Sequence, residues 1–325
     1  MQIENAETVE RYGIRIFIRS KITVQQMWNR NLFKRSDPVQ QIGYVSFLPS
    51  VAPSCSQTLS NLTQQTNDWL RRNPLAGRIL SVETLLIRGV EGEIDADASA
   101  WKQKTCMAAL QGLHKQTFIQ LYRIFYETMP HPVHEDIGFV DFVPRMLEPG
   151  GLVSYPRGEQ FPAVLHALNQ WASTMPGNVR LLNIQTLLTR ANKQGQPLNL
   201  YNACYTDVEC HEFYWRFLRL AFVAPREESA SPPVYAFPTI HSRLFVAGLT
   251  RDPGWYHNAE LERLSVVKER LDRWVRESGC RVMCVETVTY KTFETKSWRG
   301  LIPCTRGTST TITREMSYRG LSSMS

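Results

Sequence analysis

The chain has 325 residues, 43% of them hydrophobic, and a formal net charge of +7. That is apolar material enough for two or three cores, and a positive excess too scattered over strands, helix ends and termini to form a nucleic-acid-binding stripe. No run approaches the about eighteen apolar residues of a membrane helix. The opening MQIENAETVE has no secretory pattern, and seven cysteines without framework spacing fit reduced thiols. A cytoplasmic or nuclear location and no membrane partner are therefore expected.

The first element along the chain is YGIRIFIR, Tyr12 to Arg19, whose apolar residues alternate with arginine in the period-two pattern of a strand. GYVSFLP, Gly43 to Pro49, alternates in the same way. Leu59, Leu62 and Trp69 then fall on one face of an amphipathic helix that contains the sequon Asn61-Leu62-Thr63 and stops at Pro74 and Gly77. RILSVETLLIR (Arg78 to Arg88) and QLYRIFYE (Gln120 to Glu127) follow as strands.

The series then recurs. GFVDFVP (Gly138 to Pro144) precedes a helix through Phe161, Val164, Leu168 and Trp171, with Pro162 tolerable in its first turn. RLLNIQTLLTR (Arg180 to Arg190) and RFLRLAFV (Arg216 to Val223) complete the second set. A looser SRLFVAG precedes a third helix, through Leu264, Val267, Leu271 and Trp274, which Asn258 could cap and Gly279 end. RVMCVETVTYK, Arg281 to Lys291, repeats the eleven-residue strand again.

The three tryptophans lie 102 and 103 positions apart (69 to 171, 171 to 274), and Arg15, Arg123 and Arg219 align on the closing strands. The sequence thus predicts an α+β protein of three tandem strand-helix-strand-strand units, each a small sheet covered on one face by one amphipathic helix. Residues 1–40 supply the closing strand of a unit plus a linker; 41–130, 131–228 and 236–325 are units 1, 2 and 3. Residues beyond about Gly307 form a polar tail, expected to be disordered. The N-terminal strand is expected to close unit 3, since an unpaired strand exposes a row of backbone donors and acceptors; the alternative is that the chain is part of a longer repeat array.

Within the repeated strand, Leu80, Val82, Thr84 and Leu86 share one face, expected against the tryptophan helix. Glu83, Gln185 and Glu286 share the mixed face. Glutamine cannot ionise, so a common acid or base role fails; an oxygen accepting from Arg123 or Arg219 suffices. The repeated strand is read as central to each unit.

Candidate chemistry is sparse. His131, His134, Glu135 and Asp136 form one metal-capable cluster, in a Pro-containing linker; Cys204, Cys210 and His211 match no zinc spacing, and Cys280 and Cys284 stand too far apart on a strand for simple chelation. Glu91, Glu93, Asp95 and Asp97 depart from a calcium-loop order. No nucleophile elbow or phosphate loop occurs. Tyr122, Phe125, Tyr126, Phe213, Tyr214, Trp215 and Phe217 beside arginines fit a buried strand better than a base-stacking platform.

No catalytic, cofactor-binding or metal-ligating residue and no cofactor is assigned. The expected role is a non-catalytic protein-binding or scaffold module, with protein as the expected partner. The alternatives are single-stranded nucleic-acid binding through the Arg and aromatic strands, or an enzyme with its site between units, where His131 would converge with Asp207, Cys210 or His211.

Overall fold

A computed structural model describes residues 8–19, 41–49, 57–89, 115–150, 156–176, 178–191, 197–198, 200–201, 204–208, 213–226, 239–251 and 260–293. Arg11–Tyr290 form one compact unit; in the other unit, Met1–Glu10 with Lys291–Ser325, the described residues are strand. The architecture is mixed α+β, with antiparallel sheets and, among the described residues, three helices.

The main strands are β1 (Thr8–Arg19), β2 (Ile42–Phe47), β3 (Gly77–Gly89), β4 (Lys115–Thr128), β5 (Glu135–Phe142), β6 (Arg180–Ala191), β7 (Phe213–Pro225), β8 (Ile240–Val246) and β9 (Arg281–Phe293). The helices are α1 (Leu59–Arg72), α2 (Phe161–Ser173) and α3 (Leu264–Ser278). β2 and β3 flank β4, β5 and β6 flank β7, and β8 and β9 flank β1. The N-terminal β1 therefore shares a sheet with β8 and β9, the last of the described strands.

This order corrects one expectation. The repeated eleven-residue strand lies at the flank of each trio, and the Arg-bearing closing strand is the middle one. The middle strand makes ladders on both sides.

Local sequence accounts for the strand entries. Gly43 faces Tyr126 and Gly138 faces Phe222 across the ladder, and a Cβ at either would sit 2.5 Å or 2.3 Å from the aromatic ring. The third sheet has His241 opposite the smaller Ile18. Glycine is required where the middle strand offers a flat ring, and a side chain fits where it does not.

The helices obey their own local rules. Thr58 caps α1 by accepting from the Asn61 amide at 3.2 Å. Pro162 occupies the first turn of α2, where no donor is needed. The third helix begins later than expected: Arg263, not Asn258, is its N-cap residue, and Asn258 lies outside the described residues. Gly279 ends it in the left-handed conformation (φ 57°) that a Cβ disfavours.

Each helix buries the centre of its predicted stripe, while Leu264, the first stripe position of α3, is exposed. Leu62, Val164 and Val267, seven positions before each tryptophan, are buried, as are Thr66, Leu168 and Leu271. Each large aliphatic side chain of this kind contributes about 1.5–3 kcal/mol on burial. The tryptophans themselves are half-buried and meet one phenylalanine each edge-on: Trp69 with Phe47 at 5.2 Å, Trp171 with Phe142 at 5.9 Å, Trp274 with Phe245 at 5.9 Å.

Three cores alternate along the molecule. The first joins α1, the inner face of its sheet (Ile79, Val82, Tyr122, Ile124) and the back of the next sheet (Ile137, Leu182, Ala221, Val223). The second joins α2, Leu181, Ile184, Leu218 and Leu220 to Phe17 and Ile240 of the third sheet. The third joins α3 to Ile14, Ile16, Ile18, Phe245 and Val282. The layers thus run sheet, helix, sheet, helix, sheet, helix.

The face assignment of the repeated strand changes accordingly. A register shift between Ile79 and Ser81, matched at Leu181 to Asn183, inserts one extra residue. Such a bulge reverses the alternation on one side of it. Ile79 and Val82 therefore share the helix side, while Leu182 packs backward into the preceding core.

Candidate binding surface

The two junctions between successive sheet–helix layers are built from the same bonds. Asn67 of α1 donates from Nδ2 to the Ile137 carbonyl at 2.9 Å and accepts the Ile137 amide at 2.8 Å. Asn169 of α2 does the same to Ile240, at 2.9 and 2.8 Å. A side-chain amide has one donor group and one acceptor in plane, which is what an unpaired backbone residue at a strand entry requires.

The flank strands are clamped in the opposite direction. Asn183 of β6 accepts the Val82 amide (3.0 Å) and donates to its carbonyl (3.1 Å), and Gln185 accepts the Thr84 amide at 2.8 Å. From β9, the Cys284 sulfur accepts the Ile184 amide at 3.3 Å and the thiol donates to its carbonyl at 3.4 Å, while Glu286 accepts the Thr186 amide at 2.7 Å. Side chains of the next strand thereby satisfy edge groups that would otherwise template pairing.

An arginine completes each junction. Arg219 donates to the Thr84 hydroxyl at 3.1 Å and Arg15 to the Thr186 hydroxyl at 2.7 Å. The partners expected for these arginines are corrected here. Arg219 takes both oxygens of Asp141, each at 2.7 Å, rather than Gln185, although Gln185 lies directly opposite in the ladder. Arg123 donates to the Ser46 hydroxyl at 3.1 Å. Arg15 does meet the carboxylate of the repeated strand, Glu286, at 3.5 Å. The carboxylate of the first strand of a trio is the better-placed partner where one exists, because a planar fork engages two oxygens at once.

Burial sets the electrostatics of these groups. It works against the charge of Arg219, yet Asp141 holds that guanidinium above its ordinary value. It pushes the Cys284 thiol up to about 12. It also raises Glu286, against the opposing pull of the Thr186 hydroxyl and amide and of Arg15.

Among the described residues, two faces lack this cover, one on the first sheet and one on α3 and β9. Ile42 is 62% exposed, where Ile137 and Ile240 at the matching positions are 4% and 1% exposed. Tyr44 is exposed too, tilted on Phe125 at 6.2 Å with the Arg123 guanidinium 5.1 Å from its ring centroid. Beside them Ser81 and Glu83 hold the positions of Asn183 and Gln185, and among the described residues neither side chain makes a hydrogen bond or ion pair. At the opposite end Leu264, Val285 and Thr287 are exposed. A groove of about 420 Å³ between β2 and α1, lined by Phe47, Leu62, Thr66, Trp69 and Arg72, opens beside the first sheet.

Among the remaining sequence candidates, the described acidic side chains are taken up by arginines. His131 and His134 are exposed, Glu135 forms a two-point pair with Arg180 at 2.9 and 2.8 Å, and Asp136 joins Arg71 and Arg226 at 2.6 Å each. Burial would raise Asp136, but those two arginines hold it below the usual range. Cys210, His211, Glu91, Glu93, Asp95 and Asp97 lie outside the described residues, as does the polar tail; Cys204 and Asp207 are on a strand, Cys204–Val208, that pairs with β4. Cys280 and Cys284 are free thiols. Among the described residues no three metal-capable side chains gather, and no helix is long and apolar enough to cross a membrane. Tyr122 and Phe217 are buried in the strands that carry them.

Sequence reading missed Asn67, Asn169, Asn183 and Asp141. The signal was present for two of them: asparagine stands two residues before the tryptophan in two of the three helices. No family model, no curated protein and no solved structure matches the chain.

Proposed function

We propose that the protein is a stack of three copies of one strand-helix-strand-strand module, with the N-terminal strand closing the third, and that it acts as a non-catalytic protein-binding or scaffold module of the cytoplasm or nucleus. The modular reading is supported by three edge-on Trp–Phe pairs, two Asn clamps on an isoleucine backbone and two Arg-to-Thr bonds, all at matching positions. In such arrays each unit buries its face on the next, so a terminal face is either polar or a binding surface.

The observation that carries the binding role is the exposure of Ile42 and Tyr44 on a sheet face whose counterparts are covered by a helix. The partner is then a protein presenting an amphipathic helix, with apolar residues around an asparagine or similar group able to bond the Ile42 backbone. Burial of Tyr122 and Phe217 disfavours the nucleic-acid alternative, since stacking needs free ring faces.

A photoreactive benzoylphenylalanine at Tyr44 tests this in extract. The expected product is a discrete protein adduct that survives nuclease. A nucleic-acid adduct, or none at all while the protein remains folded, would contradict the proposal.

A further inference from the structure

Resting on that reading, we infer that the exposed face of the first sheet is occupied by a second copy of this chain, whose α3–β9 face repeats between molecules the junction made twice within one. Two intramolecular interfaces define the geometry, and the open ends carry its two halves. One end offers a sheet back with Ile42, Tyr44, Ser81 and Glu83; the other offers a helix and a flank strand with Leu264, Asp272, Val285 and Thr287.

The chemistry matches position by position. Ser81 would bond the Val285 backbone as Asn183 bonds Val82 and Cys284 bonds Ile184. Glu83 would accept the Thr287 amide as Glu286 accepts that of Thr186. Val285 is 55% exposed, whereas Val82 and Ile184, each covered by the next layer, are buried. Ile42 would lie against α3 as Ile137 lies against α1 and Ile240 against α2.

One position departs and sets the strength. Asp272 stands where Asn67 and Asn169 make their clamps, and it is held by Lys268 at 2.7 Å. A carboxylate accepts the Ile42 amide but cannot donate to its carbonyl, so one of the two clamp bonds is lost. The contact between copies is therefore weaker than those within the chain, and association is reversible and concentration-dependent. Because the two surfaces differ, the contact is head-to-tail and yields rings or open chains rather than a closed dimer through one face.

The test is sedimentation equilibrium of the purified chain and of two end-blocked variants, Ile42→Asp and Val285→Asp, at exposed sites where folding should be little affected. The wild type should gain mass with concentration, each variant alone should stay monomeric, and the two mixed should form one heterodimer that grows no further. A wild type monomeric throughout, or a variant that associates alone, or a mixture that does not pair, overturns the inference. Should a variant fail to fold, benzoylphenylalanine at Tyr44 in the purified chain decides: an intermolecular adduct mapping to α3 or β9 supports it, and any other or none refutes it. If the extract experiment gives an adduct to a different protein while the purified chain gives none, the binding role survives and self-association does not.

Discussion

Asp141 places both carboxylate oxygens 2.7 Å from the Arg219 guanidinium, and that guanidinium also reaches Thr84 in the preceding layer. Removing one partner from a buried pair leaves an uncompensated charge, so Asp141→Ala should cost about 3–5 kcal/mol in chemical denaturation. A loss below about 1 kcal/mol, the usual size for exposed pairs, would mean that the pair is solvated. Glu286 makes a pH prediction. Burial raises its folded pKa above the unfolded value, so the folded state binds the extra proton between the two. Stability below the unfolded pKa is then lost as pH rises through the folded pKa. Glu286→Gln, which installs the side chain found at position 185, removes this slope, and its stability relative to wild type should increase with pH across that window. Parallel pH profiles for the two proteins would exclude the effect.

Among the elements, the strand entries are coupled pairs. Gly138→Ala drives a Cβ into the Phe222 ring and should cost about 1–3 kcal/mol by overpacking. Adding Phe222→Ile, the combination of side chain and aliphatic partner seen at His241 and Ile18, should recover part of that loss in thermal melts. Equal destabilisation by the single and double variants would show that the ring is not the obstacle. The elements themselves were legible: the eleven-residue strands at 78–88, 180–190 and 281–291 are found as Gly77–Gly89, Arg180–Ala191 and Arg281–Phe293, and the helical stripes coincide with the buried residues except at Leu264, which is exposed. Periodicity reports local burial, and burial is what these elements share. The bulge was not legible, because an extra residue in one strand leaves the apolar pattern of Leu80 and Leu182 intact while changing which way each points. Nor was strand order, since Arg123 and Arg219 read equally well on a flank or in the middle.

At the scale of the molecule, α1 and α2 each serve two sheets, their own and the back of the next, while α3 packs on the third sheet. This is why Ala221, Val223 and Leu182 are buried in a core that belongs to α1, and why the side chains that matter most for assembly, Asn67, Asn169 and Asn183, lie between layers rather than within one. Their partners are backbone groups 70, 71 and 101 positions distant, and a backbone group has no letter in the sequence, so the proposed binding surface is readable only as the place where the pattern stops. The same architecture protects Val82 and Thr84 of β3 and Ile184 and Thr186 of β6 by side-chain bonds from the next layer. Hydrogen exchange at the Val82, Thr84, Ile184 and Thr186 amides tests that claim most directly. All four should exchange slowly, and Asn183→Ala should accelerate Val82 while leaving Ile184 and Thr186 unchanged. Rapid exchange at these amides in the wild-type protein would contradict a stack held together by its neighbours' side chains.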